Sequence, residues 1–450
     1  MTPESVARIR DLAEAGVTAL RKAGADDGEA RVEESHAALT RFANGAIHQN
    51  VAADGTEVGL RALVDGRMGI ASGDASTPER LAELADRAVR LARLAPRLEP
   101  PAVLAGAREI APVEGAWSEG AGTSDPEARA DGVSRLVAAG AAHGAVGFGS
   151  WEEDRATVAI ATTNGCSAAE RRSRTRVLTV MRHPDGGTGY AEAVGSGPGA
   201  IDPGSLGDEA GRWAARGGGA TDLGPCDLPV VLGPYAVADL IFTLGLLGFS
   251  GLALEEGRSF AVPGTTIGAP GVTIVDDARD PGLLPASFDD EGSPTERVTL
   301  VERGVCRAVV HDLGTASRAG RASTGHGLPA PNPWGPVPRH LAMSAGEAAE
   351  ADLLRPIRRG LYIRRFHYTN PVHPRLALVT GMTRDGCFLV EDGAITRPVR
   401  DLRFTQSYLD ALVGIEAIGR ERRLVAMDPG VVLAPAVRIG SFRFTGATEA

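Results

Sequence analysis

The most apolar stretch of the chain, PYAVADLIFTLGLLGFSG, occupies residues 234–251 near its middle. A membrane-spanning helix needs about 20 consecutive apolar residues. Here Pro234 begins the run, Asp239 interrupts it and glycines close it, so the apolar part is too short to span a bilayer. We therefore predict a helix that lies in the hydrophobic core, or a catalytic helix that has lost its polar groups.

Composition narrows the class of protein. A chain of 450 residues is expected to hold about two domains, and its 43% hydrophobic content is enough for real cores. The net charge of −10 argues against a nucleic-acid partner and against an anionic membrane surface. The N-terminal sequence MTPESVARIRDLAEAG lacks the apolar segment of a secretory signal, so we expect a cytoplasmic protein. The cysteines are too far apart for a zinc knuckle and are expected to be reduced: Cys166, Cys226, Cys306 and Cys387.

The first domain, predicted over residues 1–220, combines an antiparallel meander with flanking helices. The meander covers residues 29–72 and contains three turn signals, at Asn44, Asp54 and Asp65, each followed by glycine. Helices are predicted in STPERLAELADRAVRLARLAP and SDPEARADGVSRLVAAG, and a further hairpin turn in ATTNG. This domain is therefore of an α/β type with an antiparallel sheet.

The second domain, predicted over residues 221–450, follows the glycine-rich segment GGGATDLGP. Helix signals are few after residue 251, whereas VTLVERGVCRAVV and CFLVEDGAITRPV each have the pattern strand, turn, strand. We expect a mostly antiparallel β domain, and the predicted fold class of the whole chain is α+β.

The sequence contains no self-contained catalytic constellation. None of the nine histidines is followed by glutamate and no two lie four or five residues apart, so no helix offers the paired ligands of a zinc hydrolase. His367 and His373, with Cys387, form one candidate for a metal site assembled across distant segments. The acidic run at residues 289–291 would suit a hard cation, but consecutive residues of a strand cannot face one point, and a turn is favoured.

The order of many segments resembles the TldD/PmbA family. The matching segments of the first domain are TRFANGAIHQN, VGLRALVDGRMGIAS and ATTNG; those of the second are GRSF, VTIVDD, FDDEGSPTERVTLVERG, STGHG, RRGLYI and VTGMTRDGCFLVEDGAITRPV. In that family the TldD-type subunit is a zinc peptidase with HExxxH on a helix and a cysteine ligand near its C-terminus. Its PmbA/TldE-type partner has the same fold without the metal motif, and the two form a heterodimer whose chamber degrades or trims unfolded peptides.

The resemblance implies that HExxxH corresponds to IFTLGL in this chain. Ile241 and Leu246 then stand at the histidine positions and Phe242 at the glutamate. Between residues 184 and 254 the chain has no histidine, and its only two glutamates in that range lie before residue 210. No cysteine follows residue 387. We therefore expect no catalytic or metal-binding residue and no cofactor in this chain, with zinc in the partner subunit. Leu246 is expected to lie in the core.

The predicted function is that of a non-catalytic subunit in a heterodimeric zinc metalloprotease. Its partners would be a TldD-like metalloprotease subunit and an unfolded peptide, with no nucleic acid and no membrane. Two alternatives remain open. One is a stand-alone peptide-binding or scaffold homodimer, and the other is a metallopeptidase with an unrecognised metal site at His367, His373 and Cys387.

Overall fold

The N-terminal half of the molecule is built on one antiparallel sheet. The computed structural model describes residues 3–122 and 125–447. Two-residue turns at residues 44–45 and 65–66 join the first three strands, and Asn44 and Gly45 both have positive φ, as such tight hairpins require. The strands are β1 (Asp27–Ala43), β2 (Ala46–Val64), β3 (Arg67–Gly73), β4 (Val146–Thr162), β5 (Ser167–Arg182) and β6 (Thr188–Gly195). Their order in the sheet is β3-β2-β1-β4-β5-β6.

Two pairs of helices cover this sheet. Helices α1 (Pro3–Lys22) and α2 (Pro78–Leu94) pack together over the end that carries β3, and α3 (Pro126–Ala141) and α4 (Pro203–Arg216) pack together over the end that carries β6. Thr77 caps α2 by accepting a hydrogen bond from the Arg80 backbone N–H. Each pair buries its own apolar cluster against the strands.

The C-terminal half contains an eleven-stranded sheet that closes on itself. Strand order runs β10-β9-β8-β11-β17-β15-β13-β12-β7, with β14 beside β13 and β16 beside β17. Because β17 also pairs with β7, five of the strands form a closed path. The strands are β7 (Cys226–Leu232), β8 (Ile274–Asp277), β9 (Arg297–Glu302), β10 (Val305–Cys306), β11 (His340–Met343), β12 (Arg359–His373), β13 (Leu378–Glu391), β14 (Ala394–Pro398), β15 (Leu402–Ser407), β16 (Ile415–Met427) and β17 (Gly430–Ala447).

One long helix packs against this closed path. Helix α5 (Pro234–Gly248) contacts β7, β12, β16 and β17 and contributes most of its side chains to the largest apolar cluster. The remaining helices are short: α6 (Gly251–Glu255), α7 (Leu313–Arg318), α8 (Glu350–Leu354) and α9 (Tyr408–Val413).

These elements confirm the predicted α+β class, with an antiparallel sheet and helices first and a β-rich part second. One predicted turn is wrong. Asp54 and Gly55 lie inside β2 and pair with His36 and Ser35 of β1, so the strand runs straight through them.

The predicted domain boundary at residue 220 falls in the segment between α4 and β7, and it stays a prediction. Among the described residues, no helix combines the length and the apolarity needed to cross a membrane.

Candidate functional site

The apolar run forms the predicted helix, α5. Pro234 takes the first helical position, where its missing N–H is not needed, and the backbone leaves helical geometry at Phe249. Ile241 is fully buried and Phe242 is 7% exposed. Neither side chain carries a donor atom for Zn²⁺. The two α5 positions that the resemblance assigns to the first histidine and the glutamate of HExxxH therefore carry no zinc ligand.

Leu246, in contrast, is 41% exposed, so the prediction that it lies in the core is wrong. The helical period explains the difference, because two residues five positions apart are separated by about 140° around the helix axis. Ile241 faces inward and Leu246 faces outward. Beyond Pro234 at its start, the residues of the helix that are not buried are Asp239, Thr243 and Leu246, spaced by four and three. We call these three residues the α5 face.

Asp239 is the one ionisable group on the α5 face. Its carboxylate accepts hydrogen bonds from the Tyr408 hydroxyl (2.9 Å) and the Thr369 hydroxyl (2.8 Å), which come from α9 and β12. Burial raises the pKa of Asp239 to about 6, although both hydrogen bonds favour the charged form. This carboxylate therefore ties α5 to two distant segments and has both oxygens occupied.

Two segments that contact α5 or bond to Asp239 carry exposed apolar side chains. The turn Pro374–Leu376 contacts α5, and Leu376 is 57% exposed. Helix α9, which supplies Tyr408, ends at the exposed Val413. A monomer gains nothing from leaving large apolar groups in water, and clustered ones are typical of protein interfaces.

The alternative metal site is not assembled. His367 and His373 are exposed on β12, whereas Cys387 is buried on β13. The residue of β12 that pairs with Cys387 is Ile363, which is four residues before His367. Burial raises the pKa of the Cys387 thiol well above its usual range. Within residues 3–122 and 125–447, no three His, Cys, Asp or Glu side chains come together as a metal-binding group.

The acidic run at 289–291 is a turn, as predicted, but a buried one that the two halves of the molecule share. We call residues 287–295 the acid loop. Asp290 pairs with Arg31 of β1 and with Arg339, and these arginines outweigh burial and lower the pKa of Asp290 to about 2. Gly292 at φ +83° lies so close to Cys166, in the turn just before β5, that a Cβ atom would be 2.7 Å from its sulfur. Only glycine fits this position.

Of the other two acids of the acid loop, Asp289 is fully buried and the Glu291 side chain is 14% exposed. Asp289 accepts hydrogen bonds from the backbone N–H groups of Glu291, Ser293 and Gly327. Burial, together with the charge of Asp289, raises the pKa of Glu291 to about 8. The sequence gives a signal here, three consecutive acids that predict a turn, but their burial was not predictable because their partners are distant in sequence.

A buried histidine and aspartate pair has no local signal in the sequence. His326 Nε2 is 2.8 Å from Asp276 Oδ1, and His326 Nδ1 is 2.9 Å from the Thr324 hydroxyl. Asp276 also accepts from the backbone N–H of His340. Burial lowers the pKa of His340 to about 4. Because His326 is only 2% exposed and both its ring nitrogens are occupied, this pair has no open position for a substrate.

Two family models match the chain. One, described as the PmbA/TldA metallopeptidase C-terminal domain, covers residues 225–446, and the other, PmbA/TldA metallopeptidase domain 1, covers residues 28–92. Together they cover well over half of the chain.

Curated relatives match part of their own length. A metalloprotease of Methanothermobacter thermautotrophicus is 28% identical over 195 residues, which are 43% of this chain and 40% of the relative. A metalloprotease TldD homolog of Buchnera aphidicola is 25% identical over 213 residues, 45% of this chain and 42% of the relative. The chain thus spans about two fifths of the length of these relatives.

The fold has a solved counterpart. The crystal structure of TldE from Thermococcus kodakarensis superposes with a TM-score of 0.88, covering 96% of this chain and 99% of that one, at 19% sequence identity. At this identity the likeness shows the fold alone. With both family models in sequence order and the same fold, the chain belongs to the PmbA/TldD family, whose models describe metallopeptidases.

Proposed function

We propose that this chain is the non-catalytic, PmbA/TldE-type subunit of a heterodimeric zinc metalloprotease that degrades or trims unfolded peptides. The observation that carries the proposal is helix α5, on which Ile241 and Phe242 fill the core at motif positions where a zinc peptidase needs a histidine and a glutamate. Such a helix supplies neither a metal ligand nor a general base. Peptide hydrolysis would then be carried out by a partner subunit.

The α5 face supports the proposal that this chain binds a partner subunit. Leu246 on α5, Leu376 in the turn that contacts α5 and Val413 at the end of α9 each expose apolar surface. Interfaces favour apolar centres with few charges. A TldD-like subunit seated here would cover this surface and place its own metal site against an apolar wall.

An extended peptide is the substrate class that suits this subunit. Strand β14 pairs with β13 and with no other strand of the described residues, and most of its side chains are exposed, although its Ile395 and Pro398 carbonyls accept hydrogen bonds from Arg216 and Thr221. An unpaired strand edge binds an unfolded chain through backbone hydrogen bonds, largely regardless of its sequence. We place peptide holding in this chain and peptide cleavage in the partner, in a cytoplasmic heterodimer.

The first test is reconstitution with a TldD-like partner and an unstructured peptide. We expect cleavage by the mixture and little by either chain alone, because the partner holds the metal-bound water. Replacing the glutamate of the partner's HExxxH by glutamine is expected to abolish cleavage, since the general base is gone. The triple variant H367A/H373A/C387A of this chain is expected to keep the turnover number within a few-fold.

Peptide cleavage by this chain alone, lost in the triple variant, would instead show that the catalytic role belongs to this subunit. A stable homodimer that neither binds a TldD-like chain nor cleaves peptide would favour the scaffold alternative. The variant L246D separates the interface from the fold. We expect it to weaken heterodimer formation, because a charge at an apolar contact must be desolvated, while the isolated subunit stays folded.

Zinc content gives a second test. We expect the purified chain to retain less than stoichiometric zinc after dialysis, because the motif positions of α5 carry no ligand atoms. Elemental analysis of the chain alone and of the reconstituted heterodimer measures this. One tightly held zinc per isolated chain would contradict the proposal.

A further inference from the structure

A cavity of about 520 Å³ lies between the two halves of the molecule, where α4 faces the C-terminal sheet. We propose that this cavity binds a small, multiply charged oxyanion that carries phosphate or carboxylate groups. Nothing in the proposed protease role uses it. The arginines that line it are Arg212, Arg216, Arg364, Arg420, Arg422 and Arg423, and we call it the arginine cavity.

Charge is the first argument. Six arginines line the cavity and only three glutamates, Glu209, Glu350 and Glu421, oppose them, in a chain whose net charge is −10. No carboxylate of the described residues forms an ion pair with the arginines at 212, 216, 420 and 422. A concave positive site in a negative protein concentrates anions, because its low-dielectric walls focus the field.

Rigidity is the second argument. Arg364 and Arg423 converge on the two oxygens of Glu209, one guanidinium on each. Both guanidinium groups lie over the ring of Tyr235, at 5.9 Å and 5.1 Å from its centre, and Arg364 also lies 4.7 Å from the centre of the Trp213 ring. Stacked arginines keep their N–H edges in a fixed plane and match the geometry of an oxyanion. The Glu209 carboxylate therefore already binds between two guanidinium groups of fixed orientation, those of Arg364 and Arg423, which we call the arginine fork.

The N-terminus of α5 is the third argument. Gly233, Pro234 and Tyr235, which begin this helix, line the same cavity. The first turn carries no acidic residue, and no side chain caps it. The partial positive charge of a helix N-terminus favours an anion. Here that charge adds to the arginine side chains of α4, β12 and β16.

The arginine cavity is separate from the proposed partner surface. It lies at the start of α5, whereas Leu246 lies about 18 Å further along, at 1.5 Å per residue. Anion binding and partner binding can therefore succeed or fail independently. A volume of about 520 Å³ falls in the range of small-molecule sites. Several arginines at once favour a ligand with more than one negative charge.

The test measures binding of pyrophosphate and of citrate to the full chain by calorimetry and by thermal shift, with sodium chloride at matched ionic strength as the blank. We expect saturable binding of at least one of the two anions. Pyrophosphate alone would identify a phosphate ligand and citrate alone a polycarboxylate. Absence of saturable binding for both anions up to about ten millimolar, a Kd range of very weak ligands, would overturn the proposal.

Variants locate the site. The exposed rim pair R212Q/R420Q is expected to weaken binding by about tenfold or more, because charged hydrogen bonds are lost. The matched pair R87Q/R90Q, on the exposed side of α2, removes the same charge elsewhere and is expected to leave binding unchanged. Equal weakening by both pairs would contradict a local site. The variant E209Q is expected to tighten binding, since it frees the arginine fork, and weaker binding by E209Q would also count against the proposal.

Discussion

A single ionisable residue, Asp239, shows how burial sets a pH dependence. Its pKa is raised to about 6 from an ordinary value of 3.8, so the folded state holds a proton that the unfolded chain has released. Between about pH 4 and 6 the folded state binds more protons, and stability must fall as the pH rises. The sequence signalled this residue as an acid in an apolar helix. Its partners Thr369 and Tyr408 were not predictable, because they lie more than a hundred residues away.

Replacing Asp239 by asparagine tests this account. Because the amide cannot ionise, we expect D239N to gain roughly 1–3 kcal/mol relative to wild type on going from pH 4 to pH 7.5. Urea unfolding at the two pH values measures the difference, with D86N on the exposed side of α2 as the matched control. If the free energies of unfolding of wild type and D239N differ by the same amount at both pH values, the pKa of Asp239 is not raised.

At the scale of the element, α5 has a buried side and an exposed face. The sequence of the helix does not indicate which of its residues lie on which side. Its apolar residues are almost continuous, so no polar stripe marks the outward side. Ile241 packs in the largest apolar cluster, whereas Leu246 meets solvent. Only the strands around the helix decide which apolar residues face inward.

The two sides give a matched pair of substitutions. We expect I241D to lower the free energy of unfolding by more than about 3 kcal/mol, because it buries an unpaired charge. The variant L246D, with the same new side chain on the same helix, is expected to cost less than about 1 kcal/mol. Chemical denaturation compares them. Similar losses in both would mean that Leu246 is buried in solution.

Local chemistry predicted most elements correctly. The Asn44 turn, the Asp65 turn and the capped helix α2 each rest on neighbouring residues, and the structure confirms them. The Asp54 turn failed because the pairing of β2 with the long strand β1 overrides a local preference. The same limit applies to the site: the apolar helix was predictable, but the hydrogen bonds of Asp239 and the burial of the acid loop depend on long-range packing.

At the scale of the whole molecule, the acid loop links the two halves through buried charges. Arg31 and Arg61 of the N-terminal sheet face Asp290 and Glu291 of the loop, and the Arg61 to Glu291 contact is long, at 3.9 Å. Glu291 therefore gains little from its cation while it loses hydration. The raised pKa of Glu291 means that this link weakens as the pH rises toward about 8.

The variant E291Q is expected to flatten the pH profile of stability. Relative to wild type it should gain roughly 1–4 kcal/mol between pH 5 and pH 8.5, since the unfavourable ionisation is removed. Melting curves across this pH range measure the effect. The exposed neighbour Glu296 provides the control, and E296Q should follow the wild-type profile. If E291Q also follows it, then Glu291 ionises normally and the link is not pH-sensitive.

The position of β17 has a consequence for the newly made chain. This strand pairs with β7, β11, β15 and β16, yet it follows all of them in sequence. Roughly 200 residues separate β7 from β17, so a ribosome adding about 5–20 residues per second needs on the order of 10–40 s to supply the missing neighbour. Throughout that time β7 and the apolar side of α5 have no completed sheet to pack against, while the six-stranded sheet is already entire. The nascent C-terminal half is thus a natural client for chaperones until its last strand emerges.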